Sequence, residues 1–208
     1  VRELMEYTYE GIKEAPKDSV LVSYFVDTAS QLIYFYTEHC CEDFMLFCIE
    51  NFIEFALDKS PASPSALQGL ALIALVSKDK AVQIGQVTLM QKSFRGFSVT
   101  DKYYVGAMLF FMRVILQTKV LDLIIDMLSY VDWSAFEEIA RLGHNKSIVD
   151  LARVCERITD LGIDDAIHNI NEYGILISLA NSIDSCNLKD SLKIGKCICK
   201  ILINLDRV

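Results

Sequence analysis

Apolar residues recur at helical spacing along almost the whole chain, strand-like alternation hardly appears, and no proline follows Pro64. Such a pattern leaves one class of structure open: helices that bury their apolar faces on other helices. In 42–58, Phe44, Cys48, Phe52 and Phe55 share one arc, with Asp43, Glu50 and Glu54 opposite. The segment 19–38 is rich in β-branched and aromatic residues, but its length favours a buried helix over a strand. Start and stop signals predict helices over 2–14, 19–38, 42–58, 64–77, 79–94, 101–117, 119–130, 134–142, 146–158, 164–172, 174–184 and 188–205. Gly143, Gly162 and Gly174 fall where helices would close in the left-handed conformation. Ser134-Ala-Phe-Glu137 reads as a capping box, and Asp164-Asp165 places negative charge at a helix start.

At 208 residues the chain is long enough for a single domain. Its formal charge of -8 is uneven. Residues 1–58 hold 12 acidic and 3 basic groups, 59–129 hold 4 and 8, and 130–208 hold 12 and 9. An acidic first quarter repels phosphate backbones, which disfavours nucleic acid as a partner. The apolar runs Leu67–Val76 and Val105–Leu116 are too short to span a bilayer, so no membrane partner is expected. Val1–Gly11 has neither the basic start nor the apolar stretch of a secretory leader. The seven cysteines are therefore read as reduced and mostly buried in an intracellular protein, cytoplasmic or nuclear. The chain begins with Val rather than Met, as a piece of a longer protein would.

Two features of the sequence bear on organisation. The Lys59–Pro64 loop divides acidic, aromatic-rich helices (1–58) from repeat-like helices (65–208), all within one helical-repeat domain. In the second part Ile139, Leu142, Val149, Leu151 and Ala152 recur 28 positions later as Ile167, Ile170, Ile177, Leu179 and Ala180. That echo predicts a unit of two short helices.

Gly174–Ser185, followed by Leu188–Leu205 with its end Ile201-Leu-Ile-Asn-Leu205, resembles the second and third helices of an armadillo repeat. Thr118–Ser129 is similar to another second helix, and Leu72–Ser77 to a third-helix end with Ala74 where the family has asparagine. The resemblance covers mainly 64–208 and is degenerate; 1–58 show no match. It implies an all-α, right-handed α-solenoid of the armadillo or HEAT-like kind. It further implies a binding surface without chemistry of its own, with Asn204 at the position whose asparagine lines the family's concave groove. One retained asparagine does not make the ladder that holds extended peptides.

Individual residues suggest where a partner would bind. Lys189, Lys193, Lys196 and Lys200 form a cationic strip along the last helix, opposite Ile194, Ile198, Ile201 and Leu205, either a solvated face or a ridge for an acidic segment. Tyr34-Phe35-Tyr36 span about 200° of helix, so they cannot all face one interior, and Tyr34 and Tyr36 are candidate interface rings. Ser60-Pro61 and Ser63-Pro64 fit the minimal pattern for proline-directed phosphorylation, or a plain linker. His39-Cys-Cys41 with Cys48 lacks the turn on which zinc ligands converge, and Cys197 and Cys199 diverge within a helix. No metal, cofactor or catalytic residue is expected. The function expected is a non-catalytic scaffold that binds a peptide or helical segment of another protein in an intracellular complex, with self-association possible through the acidic first quarter and the basic last helix. A compact bundle around a small apolar ligand, and a cysteine-dependent enzyme using a histidine such as His144 or His168, are the alternatives.

Overall fold

The computed structural model describes residues 1–58, 60–85 and 87–206, with the side chains of Lys78, Val87 and Thr88 left aside. It is all-helical, with no strand among the described residues. The helices are α1 (Arg2–Glu14), α2 (Val20–Phe35), α3 (Glu42–Leu57), α4 (Ser63–Val76), α5 (Lys78–Ile84), α6 (Val87–Ser93), α7 (Lys102–Thr118), α8 (Leu121–Ser129), α9 (Trp133–Leu142), α10 (Asn145–Leu161), α11 (Asp164–Glu172), α12 (Ile175–Ser182) and α13 (Leu188–Leu205). Single 3-10 turns follow α2 and α12.

The reason α4 and α7 sit at the centre is that they are apolar nearly all round. In α4, Ala66, Leu67 and Gly69–Ala74 are buried; in α7, Leu109, Phe111, Met112 and Val114–Leu116 are buried. A helix without a polar face must be covered on most sides. Accordingly α4 packs on α2, α3 and α7; α7 packs in turn on α10, and α10 on α13. A second row forms where α9 packs on α12. Helix α1 closes one side against α2 and α3.

Several sequence expectations change in detail. The helix expected over 79–94 is two, α5 and α6, separated at Gly85 and by Gln86, which lies outside the described residues. Lys59 of the expected loop also lies outside them, and Pro64 belongs to the first turn of α4, where a missing N–H costs nothing. Gly162 and Gly174 are left-handed (φ 66° and 67°), but Gly143 is extended (φ -68°). Helix α7 instead closes on a left-handed Lys119 (φ 59°). The cap of α9 is Asp132, whose carboxylate accepts from the Ala135 N–H at 3.2 Å and from the Ser134 hydroxyl at 2.6 Å. The expected box partner Glu137 instead accepts from Ser178 of α12 at 2.8 Å. The 28-residue echo does not mark equivalent positions: Val149 and Ala152 are buried, while Ile177 and Ala180 are exposed.

Candidate interaction cleft

Where α2, α4 and α7 begin, their first turns line a cleft of about 850 Å³. Each helix starts there for a local reason. Ser19 accepts from the Leu21 N–H at 3.1 Å, and Asp101 accepts from the N–H groups of Tyr103 and Tyr104 at 3.1 and 3.0 Å. The α4 start is held from outside: the Ser23 hydroxyl donates to the Pro61 carbonyl at 3.3 Å, and Ser63 donates to the Ala56 carbonyl at 3.3 Å. Adjacent residues on a helix point about 100° apart. Tyr104 therefore turns inward, its hydroxyl donating to the Ser93 carbonyl at 3.1 Å, and Tyr103 turns out to 71% exposure. Burial raises the Tyr104 phenol above its ordinary value, so it remains a hydrogen-bond donor.

Across the cleft stand Tyr24, 67% exposed, and Val20, 62% exposed. Phe97 stacks on Tyr104 from the loop that turns at Gly96 (φ 62°), with ring centroids 6.0 Å apart. Lys102 Nζ lies 4.9 Å from the Tyr103 ring centroid. Asp101 is the one charged residue among the described lining, and its capping bonds already engage it. Partial burial pushes the nearby Asp27 carboxyl up from its ordinary value, and a hydrogen bond with Ser65 works against that rise. The result is a wall whose hydroxyls are fixed by internal hydrogen bonds, with two outward rings suited to packing apolar side chains.

The residues singled out from the sequence lie elsewhere. Tyr34, Phe35 and Tyr36 are all exposed (40%, 67% and 46%) at the far end of α2. On α13 the lysine strip is partly consumed. Lys193 binds Asp190 at 2.9 Å, Lys200 binds Glu156 of α10, and Lys189 and Lys196 have no ion pair among the described residues. Asn204 donates to Asp160 Oδ1 at 2.7 Å and lies 3.4 Å from Thr159 Oγ1, so its amide ties α13 to α10. The Ser-Pro motifs are poorly placed for a kinase. Ser63 is buried inside α4, and Ser60 is half-buried, donating to the Phe55 carbonyl at 3.4 Å. Tyr24 and Tyr103 were missed, although the Asp101 cap followed by two adjacent tyrosines was a readable signal that one ring must face out.

Five of the cysteines are shifted away from activation. Burial pushes Cys155 and Cys197 up to about 12, and raises Cys40, Cys48 and Cys186 as well. An attacking thiol needs the opposite shift. A second depression, of about 670 Å³, lies between α8 and α11, lined by Leu121, Ile125, Trp133 and Ile163 with Asp164 and Asp165 at its edge. No described helix is long and apolar enough to cross a membrane. Compared with protein-family models, curated proteins and solved structures, the chain matches none.

Proposed function

We propose that the chain is an armadillo-type α-solenoid that works as a non-catalytic scaffold, holding an extended segment of another protein in the Tyr24–Tyr103 cleft. The supporting observation is the succession of α4, α7, α10 and α13, each packed on the next. These helices end at residues 76, 118, 161 and 205, advances of 42, 43 and 44 residues. Armadillo units have about 40–47 residues and three helices. On this reading α5–α7, α8–α10 and α11–α13 are successive units, and the packing of α9 on α12 repeats the same step one helix earlier. The period is therefore near 43 rather than 28. Leu75, Gln117, Asp160 and Asn204, each one residue before its helix end, then occupy equivalent positions, and the hydrogen bond from Asn204 to Asp160 joins two of them.

Small-angle scattering and site-specific crosslinking test the two halves of the reading. A compact body of 208 residues has a radius of gyration of about 17 Å; a solenoid should exceed it, and a value at or below it overturns the architecture. A photo-crosslinker replacing Tyr103 should capture one partner segment, and Tyr24→Ala should abolish that capture. Capture unaffected by Tyr24→Ala, or obtained only from a crosslinker at Tyr173, on α11–α12, rejects the cleft as the binding site.

A further inference from the structure

Helix α13 carries an apolar stripe that its own fold leaves uncovered. Leu188, Leu192, Leu202 and Ile203 are 78%, 58%, 54% and 52% exposed, while Ile194, Cys197 and Ile201 bury the opposite face. Gly195 sits in the middle of the stripe, and a Cβ built there meets no atom within 4 Å. The stripe is thus notched where a large side chain from outside could seat against the backbone. Lys189 and Lys196, seven residues apart and without an ion pair among the described residues, flank the notch.

Helix α1 presents the complement. Leu4 and Tyr7 are 45% and 66% exposed on its outer face. Tyr7 is oriented rather than loose, its ring meeting Phe25 edge-on at 5.7 Å. Glu3 and Glu10, also seven apart, flank these two residues, and neither has an ion pair among the described residues. Two helical turns rise about 10.5 Å in both cases. The spacing therefore lets both carboxylates meet both ammonium groups, which sets Tyr7 at the level of Leu192 or Lys193, within one turn of the notch at Gly195. Because α1 packs on α2 and α3 whereas α13 packs on α10 and α12, the two faces belong to different parts of the molecule.

We infer that the outer face of α13 docks the outer face of α1 of a second copy of this chain. Such a contact is heterologous: each copy keeps one free α1 face and one free α13 face, so association continues into an open series. Rim charges set register and partner choice, and the buried stripe supplies the affinity. The inference stands independently of the cleft, because it uses neither Tyr24 nor Tyr103.

Sedimentation velocity at low salt is the test. The mass of the wild-type chain should climb from 23.5 kDa past the dimer as concentration rises. Lys189→Glu with Lys196→Glu should weaken association by roughly tenfold or more, since like charges then face each other. Glu3→Lys with Glu10→Lys should do the same. The equimolar mixture of these two variants should associate again, because each reversed face finds its opposite on the other copy. Gly195→Leu fills the notch without touching the fold, so it should abolish association while the melting temperature holds or rises. A wild-type chain that remains single at all concentrations overturns the inference. So does a series that stops at two copies, or a mixture of the charge variants that remains unassociated.

Discussion

At Gly69, α4 lies against Ser30 of α2 and Phe52 of α3, and adding one methyl there measures how close they come. A Cβ on Gly69 would lie 2.4 Å from Ser30 Oγ and 2.6 and 2.8 Å from two carbons of the Phe52 ring. Neither neighbour can yield cheaply. Phe52 is wholly buried, and the Ser30 hydroxyl is tied to the Val26 carbonyl at 2.6 Å. Alanine would favour the helix by about 1 kcal/mol over glycine. Forcing a methyl group into a filled core costs about 1–3 kcal/mol, and three contacts below 3 Å put this site at the upper end, near ~3 kcal/mol. Gly69→Ala should therefore destabilise by about 2 kcal/mol, lowering the melting temperature by roughly 4–8 °C for a domain of this size. Gly106 of α7, where a Cβ meets nothing within 4 Å, is the internal control. Gly106→Ala should gain about 1 kcal/mol. Urea unfolding of both variants, with Phe52→Leu added to Gly69→Ala, completes the test: the smaller side chain should recover part of the loss, a favourable coupling between neighbours. A Gly69→Ala chain at least as stable as wild type would refute the packing of α2 and α3 across α4.

Other perturbations have equally definite outcomes. Gly162→Ala and Gly174→Ala meet no atoms but require a left-handed alanine, so each should cost about 1–2 kcal/mol in urea unfolding. The Cys155 and Cys197 thiols are raised from 9.0 to about 12, so their contribution is full below pH 9 and is lost as pH climbs toward 12. Between pH 8 and 10 the wild type should lose more unfolding free energy than Cys155→Ala with Cys197→Ala, because the unfolded thiols ionise in that range while the buried ones hold their protons. Asn204→Ala should cost about 0.5–1 kcal/mol and speed amide exchange in the last turn of α13, because it removes the hydrogen bond that ties α13 to Asp160 of α10.

The helices were legible because burial repeats every three or four residues, and α1, α3, α4, α9 and α13 lie within a residue or so of their expected limits. Caps were less legible. Gly143 looked like a left-handed closure, but its backbone is extended, and a Cβ would meet the Ile139 carbonyl oxygen at 2.3 Å. The glycine there answers crowding rather than handedness. The 28-residue echo pairs positions of different burial for a related reason. Leu and Ile recur on every amphipathic helix, so local echoes such as Val149 with Ile177 arise between helices whose surroundings differ. What distinguishes one helix from another is which neighbour it meets, and that is encoded in contacts more than 40 residues apart, such as Ser178 to Glu137 and Asn204 to Asp160. The Tyr24–Tyr103 cleft was hidden in the same way, since its two rings are 79 positions apart in the chain.

The two ends of the α4–α7–α10–α13 row differ in how they use their polar groups, and this difference bears on the proposal that a segment binds at the cleft. Toward the end, the groups are used internally: Arg113 lies 3.6 Å from Asp150, Lys200 binds Glu156, and Asn204 binds Asp160. A partner laid across α10 and α13 would have to break these contacts before making its own, and exposed pairs exchanged for similar pairs give little net gain. At the start of α2, α4 and α7 the hydroxyls of Ser23 and Ser63 and the Asp101 carboxylate are also engaged, but with backbone groups of the protein, which fixes the wall. What remains outward there is Val20, Tyr24 and Tyr103, surface that loses water without losing an internal bond. Rigid rings on a pre-set wall keep the ordering cost of association low. Under the proposed function, a bound segment gains most at the cleft, while the polar contacts of α7, α10 and α13 tie those helices to one another.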